Sequence, residues 1–314
     1  MARYIGMRVL WMIPTLLIMS VLLFTLIHLA PGNPFQQEKG DPNFLANQNR
    51  IYGLDKPLPV QYVTWITNAV QGDFGYSLAN KTRKVQEILG EAFPVSLRLG
   101  LIATIVAFVG GVALGVVSAV NQNGPLDYFG TVVATLGASV PNFVAAFLLL
   151  FLSINVLKNT FGVDLGFHTS WTGGPRDYIL PVLSLAFLPL ATITSFTRSS
   201  MLDAIRSDYV RTARAKGLGE QKVITRHVLK NALMPAIVLI GPIFAGVGTG
   251  TFVVENTFAI PGIGRQFVQS VLNRDYPMFL GVFLLYGVFI TVMALTVDVV
   301  YSLVDPRVRL TGRR

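Results

Sequence analysis

Eight basic side chains crowd one polar stretch, residues 198–235, between two long apolar runs. They are Arg198, Arg206, Arg211, Arg214, Lys216, Lys222, Arg226 and Lys230. Guanidinium and ammonium groups bind phosphates and carboxylates, so three roles are open. The stretch can set membrane topology at lipid phosphates, enter DNA as a helix-turn-helix, or dock a soluble partner. A turn held between two membrane spans has little room to reach a DNA groove, and the residue pattern alone ranks topology above docking.

Residues for other kinds of chemistry are sparse in the sequence. There is no cysteine, no HExxH or GxSxG motif, and no phosphate loop of the form GxxxxGK[ST]. The sequence therefore predicts neither an enzyme nor a protein that binds ATP itself, and it offers no metal site or other cofactor site. Ionisable groups within apolar segments mark transport pathways, and these are few. The candidates for a pathway or gate are Ser139, Asn142, Thr249, Glu255 and Asp298.

Composition indicates the elements that must carry these residues. Of 314 residues, 52% are hydrophobic and only 13% are charged, with a mean hydropathy of +0.57. A soluble domain would carry roughly twice that charged fraction. We therefore predict an all-α integral membrane protein, in which the net charge of +9 mainly reflects topology.

Apolar runs predict six membrane-spanning helices. They are Val9–Ala30, Leu99–Val120, Tyr128–Ile154, Tyr178–Phe196, Leu233–Val254 and Met278–Leu303. Each is long enough for a roughly 30 Å hydrocarbon layer. Prolines such as Pro141 and Pro189 interrupt some of them, which favours helices packed around a cavity, although simple packing kinks remain an alternative.

The domain organisation follows from these runs. Residues 1–30 form the first span, residues 31–94 an outer loop region, residues 95–303 the core, and residues 304–314 a basic tail. The outer loop is either a small ordered cap or a contact surface for an extracytoplasmic receptor. Short inner segments are richer in Lys and Arg than short outer ones, so both termini are predicted to be cytoplasmic.

Periodicity predicts two short amphipathic helices within residues 198–235. Leu202, Ile205, Tyr209 and Ala213 recur at helical spacing, and so do Ile224, Val228 and Ala232. Gly217 and Gly219 stand between them. Glycine is unfavourable inside a helix and readily adopts bent backbone, so a turn is predicted there.

Several motifs resemble one family of transporters. The run TARAKGLGEQKVITRHVLKNALMP is similar to the cytoplasmic coupling loop of inner-membrane permeases in binding-protein-dependent ABC importers. The runs APGNPF, YGLDKPLPVQY, GDFGYS, VENTFAIPGIG and LNRDYP are similar to its dipeptide, oligopeptide and nickel branch, most of all to oligopeptide and dipeptide permease B-type subunits. The general pattern of this loop in the family is Glu-Ala-Ala, then three residues, then Gly. Only Ala213 and Gly217 match that pattern, and Lys230 stands where a later proline is expected.

The resemblance implies a function and a set of partners. It implies the type I ABC importer permease fold in the cell (inner) membrane, forming half of the pathway for small peptides delivered by an extracytoplasmic binding protein. The implied partners are a second homologous permease subunit and two ABC ATPase subunits, which bind ATP-Mg; no nucleic acid is implied. The implied ATPase-coupling residues are Tyr209, Arg211, Ala213, Arg214, Ala215, Lys216, Gly217 and Leu218.

Alternative functions stay open at this point. Permeases for nickel chelates or glutathione share these motifs, so the cargo is not determined. A self-sufficient, ion-coupled secondary carrier is a further alternative. Such carriers more often have carboxylates in mid-span and paired repeats, and the sequence has no convincing repeat.

Overall fold

The computed structural model describes residues 2–29, 50, 53–167, 170–248 and 252–304. Helices make up nearly all regular structure in these ranges, with one isolated antiparallel bridge, between Tyr76 and Lys84. Five of the described helices are long and apolar enough to cross a membrane, and a pair bent by 47° can supply a sixth. The prediction of an all-α membrane protein is confirmed.

The helices are numbered in chain order. They are α1 (Ala2–Leu29), α2 (Leu58–Val70), α3 (Val85–Val120), α4 (Pro125–Ser139), α5 (Asn142–Phe151), α6 (Pro175–Ile205), α7 (Asp208–Ala215), α8 (Glu220–Lys222), α9 (Leu229–Ala232), α10 (Met234–Gly248), α11 (Phe252–Thr257), α12 (Ile263–Leu272) and α13 (Tyr276–Val304). A π-helical segment, Leu152–Thr160, extends α5, and another, Val223–Val228, joins α8 to α9.

Two compact units divide the chain. The first unit comprises residues 1–96 and 261–295, and the second comprises residues 97–260 and 296–314. Helix α3 begins at Val85, earlier than the span predicted from Leu99, because Val85, Leu89 and Ala92 are buried in the first unit. The predicted outer loop region, residues 31–94, therefore includes α2 and the first turns of α3.

Aromatic and aliphatic side chains build the core of the first unit. One cluster joins Phe24 of α1 to Tyr276 and Phe279 of α13. A second cluster joins the beginning of α3 to α12 and α13 through Val85, Ile263, Met278 and Val282, among others. Close van der Waals packing of these side chains holds the helices to one another.

Asp275 is a buried polar hub of the first unit. Its side chain accepts a short hydrogen bond from the Ser77 hydroxyl and one from the Ala79 backbone N–H at 3.2 Å. It also accepts the backbone N–H of Met278 at 3.2 Å, and so caps the beginning of α13. One side chain thus ties the segment before α3 to a helix that lies about 200 residues later.

We expect Asp275→Ala to lower the melting temperature of the purified protein by several degrees. The change leaves buried donors without an acceptor, at a cost of about 1–3 kcal/mol for each one. Differential scanning fluorimetry in detergent measures the shift. Asp55→Ala is the matched control, because Asp55 is exposed in the same unit. Equal melting temperatures of the two variants would contradict this role for Asp275.

Helix α6 is the central helix of the second unit. Helices α4, α5 and α10 pack against it. Helix α3 approaches it closely at Gly111 and Gly115, where a Cβ atom would lie 2.8 Å from Ile193 Cβ and 2.6 Å from Thr197 Cβ, respectively. Small residues at such crossings let helix backbones come together in a membrane. The predicted break of the third span is confirmed, because α4 ends at Ser139 and α5 begins at Asn142, after Pro141.

Candidate coupling site

The basic stretch folds as α7, a glycine turn and the α8–α9 segment. Helix α6 ends at Ile205, and the Ser207 hydroxyl donates to the Ala204 carbonyl at 2.5 Å. Helix α7 then begins with Asp208, whose charge favours a helix N-terminus. This break separates Leu202 and Ile205 from Tyr209 and Ala213, which the sequence placed in one helix.

Gly217 ends the first arm of the site in left-handed backbone. Its φ is +76°, and its N–H donates to the Arg214 carbonyl at 2.9 Å. This conformation is common just after a helix C-terminus and favours glycine. Gly219 has φ −61° and leads into α8, so it needs no special backbone. The predicted turn is confirmed, and Gly217 is the glycine that the turn requires.

An apolar inner face attaches the site to the spans. Val210 and Ala213 of α7 are buried with Val223 and Val228, against Met201 of α6. Ala119, at the end of α3, and Ala232 of α9 complete this cluster. The candidate coupling site is therefore packed directly on the ends of two long helices, α3 and α6.

The buried positions differ in part from the predicted ones. The sequence placed Tyr209 and Ile224 on apolar faces, whereas Tyr209 is 42% exposed and Ile224 is only partly buried. Val223 and Val228 lie five residues apart in the π-helical segment, whose wider turn brings residues at that spacing to one face. A search at the α-helical period misses Val223 for this reason.

The outer face of the site is exposed and mainly basic. Seven of the eight predicted coupling residues are exposed: Tyr209, Arg211, Arg214, Ala215, Lys216, Gly217 and Leu218. Ala213 is the exception, because its side chain is 5% exposed and faces the inner cluster. The surface combines cations with a projecting Tyr and Leu, a combination suited to a cleft on a soluble protein.

An ion pair bridges the two arms of the turn. Arg214 Nε and Nη2 donate to the Glu220 carboxylate at 3.1 Å and 2.5 Å. The hydrogen bond from Arg214 lowers the pKa of Glu220, and the bond to Glu220 raises the pKa of Arg214. Both side chains are partly exposed, so solvent screens the pair and it supports the turn only modestly.

We expect the contribution of this ion pair to the stability of the turn to be the same at pH 6 and at pH 8. The pKa of Glu220 is lower in the folded protein than its ordinary value of 4.5. The ion pair therefore contributes its full stability above pH 4.5, and this contribution is lost as the pH falls through the pKa of folded Glu220. Hydrogen exchange of the amides of residues 216–220, corrected for intrinsic rates, measures this. Glu220→Gln should speed that exchange by no more than about fivefold at pH 7. A much larger effect, or a change in protection between pH 6 and pH 8, would contradict this account.

The predicted pathway residues do not form one cluster. Ser139 lines a groove of about 370 Å³ between α4 and α6, whereas Asn142, Glu255 and Asp298 do not line it. Glu255 is fully buried, and Asp298 is partly buried. Asn142 Oδ1 is buried and accepts no hydrogen bond from the described residues. Thr249 lies outside the described residues.

Hydroxyl groups and one arginine line this groove. They belong to Thr131, Thr135, Ser139, Thr194, Ser195 and Arg198, with Gly130, Ala134 and Ala138 between them. Thr131, Thr135 and Ser139 recur every four residues, so helical spacing of hydroxyls was the sequence signal that could have identified this face. In the described part of the chain, no three His, Cys, Asp or Glu side chains lie close enough to hold a metal ion.

Comparison with known sequences gives matches along nearly the whole chain. Residues 111–310 match the family described as binding-protein-dependent transport system inner membrane component, and residues 1–100 match the N-terminal part of that membrane component. The dipeptide transport system permease protein DppB of Bacillus subtilis is 41% identical over 99% of each chain. The oligopeptide transport system permease protein OppB of Escherichia coli K12 is 38% identical, over 98% of this chain and all of the relative.

Comparison with solved structures shows the same fold. A methionine ABC transporter, MetNI, in an inward-facing form superposes with a TM-score of 0.55 at 14% identity, over 69% of this chain and 96% of that one. An amino acid ABC transporter crystallised with histidines gives a TM-score of 0.53 at 16% identity, over 68% of this chain and 92% of that one. The chain thus has a fold found in ABC transporters.

Proposed function

We infer the function from a family: this chain belongs to the binding-protein-dependent transport system inner membrane components. It is the membrane-spanning permease subunit of an ATP-driven importer of small peptides. The observation that carries this conclusion is the identity of 38–41% over essentially full length to dipeptide and oligopeptide permeases. The chain is a multi-pass inner-membrane protein, and names of its relatives favour neither a nickel-chelate nor a glutathione permease.

The transporter contains further subunits besides this chain. Two ABC ATPase subunits bind ATP-Mg, an extracytoplasmic binding protein delivers the peptide, and a second homologous permease supplies the other half of the pathway. This chain binds no cofactor of its own. Both termini lie in the cytoplasm, on the side of the coupling site, as the distribution of Lys and Arg supports.

The coupling site docks an ATPase subunit through its outer face. Tyr209 and Leu218 insert as apolar anchors, and Arg211, Arg214 and Lys216 face acidic groups of the ATPase. Gly217 shapes the turn and Ala215 allows close approach. Ala213 acts from inside, because it packs α7 on the buried cluster and lets movement of the docked surface reach α3 and α6.

The groove between α4 and α6 supplies a wall of the translocation pathway. Its hydroxyls donate to carbonyls of their own helices, as Thr135 does to Thr131 and Thr194 does to Leu190, both at 2.8 Å. Their oxygen atoms can still accept hydrogen bonds, which suits N–H groups of peptides that differ in side chain. Asn142, Thr249, Glu255 and Asp298 are gate candidates by residue type.

Reconstitution of the complex tests the proposed function. The chain is purified with the proteins that accompany it, placed in liposomes and supplied with ATP and labelled dipeptides or tripeptides. We expect uptake only when the ATPase subunits and the binding protein are both present. Uptake by the purified chain alone under an ion gradient would overturn the proposal in favour of a secondary carrier. A binding screen on the accompanying receptor then identifies the peptide class.

A further inference from the structure

A two-point ion pair joins α4 to α6 near the coupling site. Arg198 Nε donates to Asp127 Oδ1 at 2.6 Å, and Arg198 Nη2 donates to Asp127 Oδ2 at 2.8 Å. Asp127 is only 4% exposed and also accepts the backbone N–H of Asn123 at 2.9 Å. Every oxygen of this carboxylate is therefore held, in the geometry in which arginine binds a carboxylate most strongly.

The ion pair lies beside the attachment of the coupling site. Arg198 and Met201 are three residues apart on α6, and Met201 is fully buried against Val210 and Val223. Asp127 is in the first turn of α4, just after the tight turn in which Asn123 has a φ of 64°. One turn of α6 thus contacts both the coupling site and the beginning of α4.

A second contact joins the same two helices further along. At Gly137, a Cβ atom would lie 2.7 Å from the Phe187 carbonyl oxygen and 2.8 Å from Ala191 Cβ, so α4 and α6 cross almost backbone to backbone. Asp127 and Gly137 are ten residues apart, about 15 Å along a helix. Most of the hydroxyl-lined groove, with Thr131 and Thr135, lies between these two contacts.

We propose that Asp127 and Arg198 are positioning residues for transport. The ion pair makes α4 follow α6 when the coupling site moves, and so it sets the width of the groove during the ATP cycle. The proposal rests on the proposed transport function. It adds that force reaches the groove through this pair and not only through apolar packing.

The ion pair and the crossing at Gly137 restrain α4 in different ways. The crossing at Gly137 is a point of close packing, about which helices can pivot. The ion pair resists such a pivot, since separating its partners would leave a carboxylate buried without its counterion. Without the pair, the first turns of α4 keep their close contact with α3 at Gly130 but lose their two-point link to α6, so movement of α6 widens the groove unevenly.

Transport per ATP hydrolysed, measured with the full complex in liposomes, tests the pair. Asp127→Asn keeps the size of the side chain, and Arg198→Lys keeps the charge but cannot form the two-point contact. We expect both to lower transport per ATP at least about tenfold while ATP hydrolysis stays within about twofold. The matched control is Asp164→Asn, which alters an exposed ion pair with Lys158 and should leave the ratio unchanged.

Cysteine labelling separates positioning from a merely structural role. The chain has no cysteine, so Thr135→Cys places a single thiol in the groove. In an otherwise unaltered complex, its rate of maleimide labelling should differ between the ATP-free and the ATP-trapped states. With Arg198→Lys added, the rates in the two states should become equal although the complex still assembles.

The outcomes distinguish this proposal from the proposed function. Unaltered transport per ATP in Asp127→Asn and Arg198→Lys would overturn the role of the pair, while peptide uptake by the unaltered complex would still support the transport function. If the Asp127→Asn complex fails to assemble, the result for Arg198→Lys tests the proposal, because that variant retains a cation beside Asp127. A state-dependent labelling difference that persists in Arg198→Lys would also overturn the proposal.

Discussion

Replacing Gly217 by alanine is expected to uncouple ATP hydrolysis from transport. A Cβ atom at this position would meet nothing within 4 Å, so bulk is not the obstacle. The obstacle is the φ of +76°, which costs a residue with a side chain roughly 1–2 kcal/mol and shifts the turn away from its native form by about 5- to 30-fold. Leucine should have at least as large an effect as alanine.

Transport per ATP in the reconstituted complex measures this effect. Gly219→Ala is the matched control, because its Cβ also meets nothing within 4 Å while its φ is −61°. Gly217→Asn should retain more coupling than Gly217→Ala, since asparagine tolerates left-handed backbone better. Coupled transport in Gly217→Ala equal to that in Gly219→Ala would contradict the account of docking through this turn.

Replacing Gly115 by valine is expected to destabilise the second unit strongly. A Cβ atom there would lie 2.6 Å from Thr197 Cβ and 2.7 Å from the Thr194 carbonyl oxygen. The carbonyl belongs to the backbone of α6, so relief requires separation of two helices that together support the coupling site. Overpacking typically costs about 1–3 kcal/mol for a small change, and valine adds further atoms at the same crossing.

Yield and monodispersity of the purified chain measure this effect. Gly90→Ala is the control in the same helix, since a Cβ at Gly90 meets nothing within 4 Å. That change should be neutral or slightly stabilising, because alanine favours a helix over glycine by up to about 1 kcal/mol. Wild-type yield and melting temperature in Gly115→Val would show that α3 and α6 do not cross as closely as described.

Hydropathy and local backbone chemistry were sufficient for the membrane class, the position of the basic site and its glycine turn. A long apolar run has few alternatives to a spanning helix, and the α-helical period and the glycines act over a few residues. The same reasoning correctly gave the break at Pro141. It was less successful where one helix ends and the next begins, as at Ser207, and where the backbone is π-helical, as in Val223–Val228.

The sequence by itself determined the all-α membrane class, where the charges of the coupling site lie, and that glycines turn the chain between its arms. Only the tertiary structure decided that Tyr209 faces outward, that Asp127 pairs with Arg198 across 71 residues, and that Asp275 holds Ser77 across 198. The physical reason is the distance along the chain over which each kind of interaction acts. Hydrophobicity and backbone preference act on neighbouring residues, whereas an ion pair or a buried hydrogen bond depends on which helices pack together.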